Sequence, residues 1–171
     1  MTTPSSSTPI ALAAVTDAET LTRLQIDFGA EFGTEEPPFA VLLPRFRRLL
    51  ADPAAFALLA GPRDEPSGYA VVTLRPTVYC DGLLAVLDEL YVRPDLRGHR
   101  IGTALLAAAV RETRRRGGGE MHINVDEIDV DARRFYERHG FVNIEPGTDY
   151  RMLCYIGEIG AEATGTGPLA G

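Results

Sequence analysis

The segment Leu87–Gly102, Leu-Asp-Glu-Leu-Tyr-Val-Arg-Pro-Asp-Leu-Arg-Gly-His-Arg-Ile-Gly, carries the residue types best suited to chemistry in this chain. An apolar strand ends at Val92, a proline turn follows, and a basic, glycine-containing loop opens a helix near Gly98 to Thr103. The first N–H groups of a helix have no acceptor inside it and sit at the positive end of its dipole. A diphosphate lying across Arg97, Gly98, His99, Arg100, Ile101 and Gly102 would meet several amide donors and two guanidinium groups. The plainer reading is a strand–turn–helix connection with a solvated basic turn. It ranks second because of a further block downstream.

That block is Asp129–Phe141, Asp-Val-Asp-Ala-Arg-Arg-Phe-Tyr-Glu-Arg-His-Gly-Phe. Asp131 is the candidate N-cap of a helix, Gly140 its candidate stop, and Phe141 the start of a following strand. The two blocks, in this order and with a strand between them, resemble the acyl-CoA-dependent N-acyltransferases of the GNAT superfamily. The first is similar to the family's pyrophosphate loop, Arg/Gln-x-x-Gly-x-Gly/Ala, and the second to Asn-x-x-Ala-x-x-Phe/Leu-Tyr-Glu-x-x-Gly-Phe. Arg97, Ile101 and Gly102 match as they stand, and the resemblance covers roughly residues 8 to 157.

Two positions depart from the pattern. Asp129 replaces the family's Asn, which puts an amide contact to the cofactor in doubt. Arg100 stands at the first family glycine. A positive φ there would be costly for Arg, whereas a position that only contributes an N–H would suit it and gain charge. The second case is the expectation, with negative φ at Arg100.

The resemblance implies transfer of an acetyl group from acetyl-CoA to a primary amine by direct attack in a ternary complex. An alkyl ammonium has a pKa near 10, so almost none of it is nucleophilic at neutral pH. A proton acceptor is therefore needed, and a proton donor for the departing thiolate. Tyr136 is a phenol that stays protonated at neutral pH, and it matches the family's general acid position. Asp88 and Glu89 lie where the family often places a general base. Neighbours on a strand face opposite sides, but a bulge common in the family spoils that parity, so both are named, with Glu89 preferred. The backbone of Leu90, Tyr91 and Val92 would pair with the pantetheine arm. Thr103, Asp129 and Arg133 complete the cofactor residues that the resemblance implies.

Positioning these groups requires a mixed α/β sheet with a strand–helix–strand unit at its centre, flanked by about four helices. Strands are expected at Ile10–Ala14, Ala55–Ala60, Gly68–Leu74, Leu83–Val92, Glu120–Val125 and Tyr150–Ile156. Apolar spacing predicts helices over Asp17–Phe28 and Phe39–Leu50, with Pro44 a candidate interruption, then a central helix carrying Ile101, Leu105, Leu106, Ala109 and Val110 on one face, and Val130–His139. Residues 9–158 form the acetyltransferase domain, and 1–8 and 159–171 are loose tails.

The chain has 171 residues, a net charge of −7 and 45% hydrophobic residues, which argues against a general nucleic-acid binder and for an ordinary globular domain. The start lacks a signal peptide's basic and apolar regions, and no apolar run is long enough to span a bilayer, so no membrane partner is expected. Cys80 and Cys154 make neither a metal spacing nor a disulfide framework, and a cytoplasmic location fits best. His99, His122 and His139 share no metal spacing, so no metal is expected. The run Arg114-Arg115-Arg116 before Gly117 is read as helix-end chemistry.

Acceptor choice in the family rests on the first two helices, the loop between them, and the final strands. That loop is expected over Glu31–Pro38 and brings Glu31, Glu35 and Glu36 beside Phe32. Carboxylates with aromatics suit a small cationic, polyamine-like amine. A protein N-terminus or lysine remains an alternative acceptor, and an acyl-CoA-binding sensor with little catalysis an alternative function. Homodimers are common among relatives, and the oligomeric state stays open.

Overall fold

The computed structural model describes residues 8–156 and divides the chain into two compact units, one ending at Ile123 and the other beginning at Asn124. Except for Thr8, the two expected tails lie outside the described residues. The first unit holds β1 (Ile10–Leu12), α1 (Ala18–Phe32), α2 (Phe39–Ala51), β2 (Ala55–Ala60), β3 (Gly68–Pro76), β4 (Leu83–Val92), α3 (Ile101–Arg115) and β5 (Gly118–Ile123). The second holds α4 (Val130–Arg138). The strands lie in the order β1-β2-β3-β4-β5, antiparallel except for the parallel pair β4–β5. This is the mixed sheet the sequence predicts.

Alternation divides the sheet into two faces. Ala57, Leu59, Tyr69, Val71 and Tyr91 form one core with Ala18, Leu21 and Leu24 of α1 and Phe46 of α2. Phe56, Leu58, Ala70 and Val72 point the other way, and α3 packs on the sheet with Leu105, Leu106 and Ala109 buried. Burial holds α1 in place. Leu21 and Leu24 each contribute roughly 1.5–3 kcal/mol, whereas the exposed Glu19–Arg23 pair is worth at most a few tenths.

Several boundaries differ from expectation, each for a physical reason. Helix α1 runs through Gly29 to Phe32 and ends on Gly33, whose φ of 64° lets Gly33 and Thr34 donate back to Ala30 and Gly29. Glu31 and Phe32 therefore belong to the last helical turn and not to a loop. Helix α2 is continuous through Pro44, so the candidate interruption is not realised. Strand β5 starts at Gly118, earlier than expected, where it meets the first residue of β4, Leu83, and glycine suits the tight approach to α3: a Cβ there would lie 2.3 Å from Thr113 Cγ2.

In the second unit, Asp129 caps α4 by accepting the Ala132 N–H at 2.9 Å, while the expected cap, Asp131, lies inside the first turn. Gly140 follows the helix with φ 86°, as a stop should. The strands expected from Phe141 and over Tyr150–Ile156 do not form. A strand needs a partner edge, and among the described residues of this unit the segment finds only one antiparallel bridge, Ile144 to Arg151, around a turn at Gly147.

Candidate functional site

The site in the first unit grows from an irregularity in β4. Val71 of β3 pairs with Glu89, but the next residue, Val72, pairs with Leu87, which leaves Asp88 as an extra residue in a bulge. Without it, Leu87 and Glu89 would share a face. With it, Leu87 faces α3 beside Val72, and Glu89 turns to the α1–α2 face beside Val71. Asp88 reaches the same side, where its Oδ2 accepts the Thr73 hydroxyl at 2.8 Å. Both carboxylates thus face one way, which simple alternation forbids.

Glu89 is half-buried and meets groups from three elements. The Gln25 side chain of α1 stands as a neutral donor beside its carboxylate, and Glu36, from the segment after α1, stands close by. Desolvation, then repulsion from Glu36 and Asp88, pushes its pKa up to about 7, with Gln25 opposing the rise. Gln25 Nε2 also donates to Glu36 Oε1 at 3.2 Å, and its Oε1 accepts the hydroxyl of fully buried Tyr69 at 2.6 Å. Glu36 can come this close because Gly29 has no side chain, since a Cβ there would sit 2.0 Å from Glu36 Cγ.

Beyond the bulge, β4 continues along β3 to Val92, but its pairing with β5 stops at Leu87 opposite Ile123. Over Leu90, Tyr91 and Val92, no strand among the described residues pairs with the other edge. Backbone groups on such an edge suit an extended, amide-bearing ligand. Tyr91 is buried and stacks on Phe28 at 5.2 Å between ring centroids. Burial, followed by Glu31 and Asp27, raises its pKa.

The loop that follows is shaped for an anion, with one correction to expectation. Gly98 has φ 81°, and Arg100 has φ 63° and ψ 13°, the left-handed conformation, not the negative φ expected. Arg100 is the one non-glycine residue with positive φ among the described residues. The family glycine therefore marks a backbone requirement, which Arg meets at a cost of about 1–2 kcal/mol. Arg100 directly precedes α3, and the first helical bond runs from the Ala104 N–H to the Arg100 carbonyl. The Ile101 and Gly102 N–H groups thus point out of the helix start with no carbonyl behind them. His99 Nδ1 lies 3.1 and 3.0 Å from the Leu96 and Arg97 carbonyls and, as the Nδ1–H tautomer, braces the loop. Arg100→Gly should raise the unfolding free energy by about 0.5–1 kcal/mol, or roughly 1–4 °C in Tm. A calorimetric scan showing no gain, or a loss, would assign Arg100 a compensating contact.

Arg97 does not project freely. Its Nη1 and Nη2 donate to the two oxygens of Glu31 at 2.6 and 2.7 Å, and its Nε donates to the Val92 carbonyl at 3.0 Å. A residue read as a phosphate ligand and one read as an acceptor ligand are therefore partners. Of the other acceptor candidates, Phe32 is exposed with its ring edge-on to Phe28, and Glu35 is exposed.

The second unit, taken by itself, carries Asp129, Arg133 and Tyr136 on one short helix. Arg133 Nη1 donates to the Glu127 carbonyl at 3.0 Å, and Tyr136 lies edge-on to Phe135 and Phe141. The Asp129 carboxylate caps the helix, the role the sequence reading gave to Asp131.

Sequence reading missed Gln25 and Tyr69. Gln25 did leave a signal: it is a polar residue one turn from Leu21 on the buried face of α1. Tyr69 left none, because its role depends on pairing across the sheet.

Comparison with known proteins agrees with this geometry. A profile of the Acetyltransferase (GNAT) family matches residues 19–141, which spans the glycine loop and reaches the end of the second block. The chain belongs to the GNAT acetyltransferase family. It is 31% identical over 96 residues to the aminoalkylphosphonate N-acetyltransferase of Salmonella typhimurium, across 56% of this chain and 62% of that enzyme, less than two thirds of its length. Among solved structures, a candidate acetyltransferase from Arthrobacter sp. FB24 is 47% identical, with a TM-score of 0.83 over 90% of this chain and 97% of that one. An aminoglycoside acetyltransferase from an uncultured soil metagenomic sample, solved with sisomicin, shares the fold at 18% identity, with a TM-score of 0.71 over 89% of this chain and 96% of that one. Its likeness concerns the fold alone. Among the described residues the GNAT fold is thus a mixed five-stranded sheet with four α-helices.

Proposed function

We propose that this GNAT protein is an acetyl-CoA-dependent N-acetyltransferase that acts on the primary amine of a small cationic molecule within one domain, residues 9–158. The observation that carries the reading is Glu89: a half-buried carboxylate, turned by a bulge onto one face of β4 and raised to about pH 7, a few residues before an anion-binding loop.

The chain's groups fit the cofactor on two independent grounds. The left-handed turn at Arg100 presents the Ile101 and Gly102 amides at a helix start, and among the described residues β4 keeps an unpaired edge from Leu90 to Val92. Residues Arg97 to Thr103 would hold the diphosphate, the β4 edge the pantetheine amides, and Asp129 and Arg133 further parts of the cofactor. When bound, acetyl-CoA supplies the activated acyl group. Glu89 takes the proton from the acceptor ammonium at a carboxylate oxygen, directly or through water. Tyr136 delivers its phenolic proton to the leaving sulfur. Asp88, Glu31, Glu35 and Glu36, with Phe32, favour a cationic acceptor near Glu89. The aminoalkylphosphonate relative supports a small-molecule amine as the acceptor class.

A thermal-shift comparison of acetyl-CoA, desulfo-CoA, ATP and buffer tests the cofactor. At about 100-fold above Kd, binding adds about 2.7 kcal/mol, or roughly 5–10 °C for a domain of this size. Stabilisation by both CoA species and not by ATP, followed by release of free CoA on adding small cationic amines, is the expected result. Binding without CoA release from any amine, peptides included, would make the protein an acyl-CoA sensor. No shift with either CoA species would overturn the reading altogether.

A further inference from the structure

The buried amide of Gln25 has no place in the chemistry outlined above, yet it links Tyr69 to Glu36 beside Glu89. Its side chain is 8% exposed, on the core face of α1. One amide offers one oxygen and two N–H groups. The oxygen accepts the Tyr69 hydroxyl at 2.6 Å, and the nitrogen faces Glu36 at 3.2 Å and the Glu89 carboxylate. The reverse orientation would put an oxygen against two carboxylates and leave the fully buried Tyr69 hydroxyl facing an N–H donor. Only one orientation therefore satisfies the set.

Tyr69 is locked as a donor. Its phenol is driven far above its ordinary pKa by desolvation first, then by Glu89, Glu36 and Tyr91, so it stays neutral. Glu36 is held against the bare backbone of Gly29. The chain from Tyr69 through Gln25 to the two carboxylates is thus specified at each link, by burial at one end and by close packing at the other.

We propose that Gln25 is the positioning residue of the catalytic base: Tyr69 fixes its amide, and the amide holds Glu89 and Glu36 side by side as a paired-carboxylate subsite for the acceptor ammonium. The inference rests on the acetyltransferase reading and adds the residue that orients the base and the class of group the subsite takes. A carboxylate on two free torsions samples many orientations, and a base tied to a fixed N–H samples few. The second carboxylate gives the incoming ammonium two acceptors, which favours cationic amines over neutral ones of similar shape.

The groups facing Glu89 set the sign of each test. They are Asp88 and Tyr91 on its own strand, Tyr69 on β3, Glu36 after α1, and Gln25 as the neutral donor. Arg93, Arg97, Asp27 and Glu31 act on the adjoining Tyr91. Removing the donor destabilises the ionised base, and removing Glu36 stabilises it. The acid limb of kcat/KM should therefore move up by about one unit in Gln25→Met and Gln25→Glu, and down in Glu36→Gln. Gln25→Met should lower kcat about 10- to 100-fold with a smaller change in the KM of the amine. Glu36→Gln should chiefly raise the KM of a diamine relative to a neutral-bodied amine.

The experiment is a pH–rate series on the full chain, with acetyl-CoA as donor and a diamine and a simple monoamine as acceptors. Tyr69→Phe is the mild variant that keeps the ring and the packing, and it should shift the limb in the same direction as Gln25→Met but less. Limb shifts of opposite sign for Gln25 and Glu36 variants support the proposal, because a purely structural loss lowers activity without separating the signs. An unchanged limb in Gln25→Glu and Tyr69→Phe, while the wild type turns over, would overturn it. Absence of turnover in the wild type, with any amine, would instead sink the acetyltransferase reading on which it rests.

Discussion

Glu89→Gln should lower kcat for amine acetylation by about 10²- to 10⁴-fold, the usual worth of a positioned general base, and leave the thermal shift with acetyl-CoA within a few degrees of wild type. The carboxamide keeps the shape of the side chain and removes the proton acceptor, so steady-state kinetics report on chemistry. In the wild type, kcat/KM should climb with pH and level off above about pH 7, because the base works only when ionised and its pKa is raised to about 7. The stability of the fold should run the opposite way. A carboxyl whose pKa is higher in the folded than in the unfolded chain binds more protons when folded, so stability falls as pH rises from about 4.5 to about 7. Glu89→Gln should flatten that slope and gain about 1–2 kcal/mol at pH 8 in urea unfolding, after allowance for solvent screening. A variant that keeps wild-type kcat would remove Glu89 from the mechanism. A variant less stable at pH 8 would contradict its buried, repelled charge.

Tyr136→Phe should lower kcat by about 10²-fold or more, because the departing thiolate then leaves without a proton. The ring remains, and with it the edge-on contacts to Phe135 and Phe141, so the melting temperature should move little. The decisive comparison uses an acyl donor with a more acidic thiol. Such a leaving group needs less help from a proton donor, so the deficit of the variant should shrink with it. Turnover within a few-fold of wild type on acetyl-CoA, or a deficit indifferent to the thiol, would assign Tyr136 to packing.

Much of the frame was legible in the residues. Strands β2 and β4 have the predicted bounds, because apolar runs flanked by turn residues leave little choice, and only Asp88 and Glu89 interrupt the second. The junction from β4 through the turn into α3 was legible because proline and glycine stand between an apolar strand and an Ala- and Leu-rich helix. Three features were not. The conformation of Arg100 is a property of the loop path, and residue type argues against it: a side chain that disfavours positive φ sits where the turn demands it. The Arg97–Glu31 pair joins residues 66 positions apart, and Tyr69–Gln25 residues 44 apart, so both depend on how α1 lies over the sheet. The final strand failed for a different reason. Apolar residues from Met152 to Ile156 satisfy the composition of a strand, but composition does not supply a partner edge.

The extra residue at Asp88 makes β4 two half-strands of opposite phase. From Leu83 to Leu87, odd-numbered side chains serve the core beneath α3, and from Glu89 to Val92 odd-numbered side chains serve the opposite face. Among the described residues the first half is stitched on both sides, by β3 and by β5, and the second on one side only. Substitutions in the two halves are therefore read by different parts of the molecule. Changes at Ala85 or Leu87 are felt as lost packing beneath α3 and changes at Tyr91 as lost packing against α1, whereas Glu89→Gln tests chemistry, with the bulge as the seam between the halves. A strand built in this way can let the half that bears Glu89 vary while its anchored half stays fixed, because one unpaired residue absorbs the mismatch of phase.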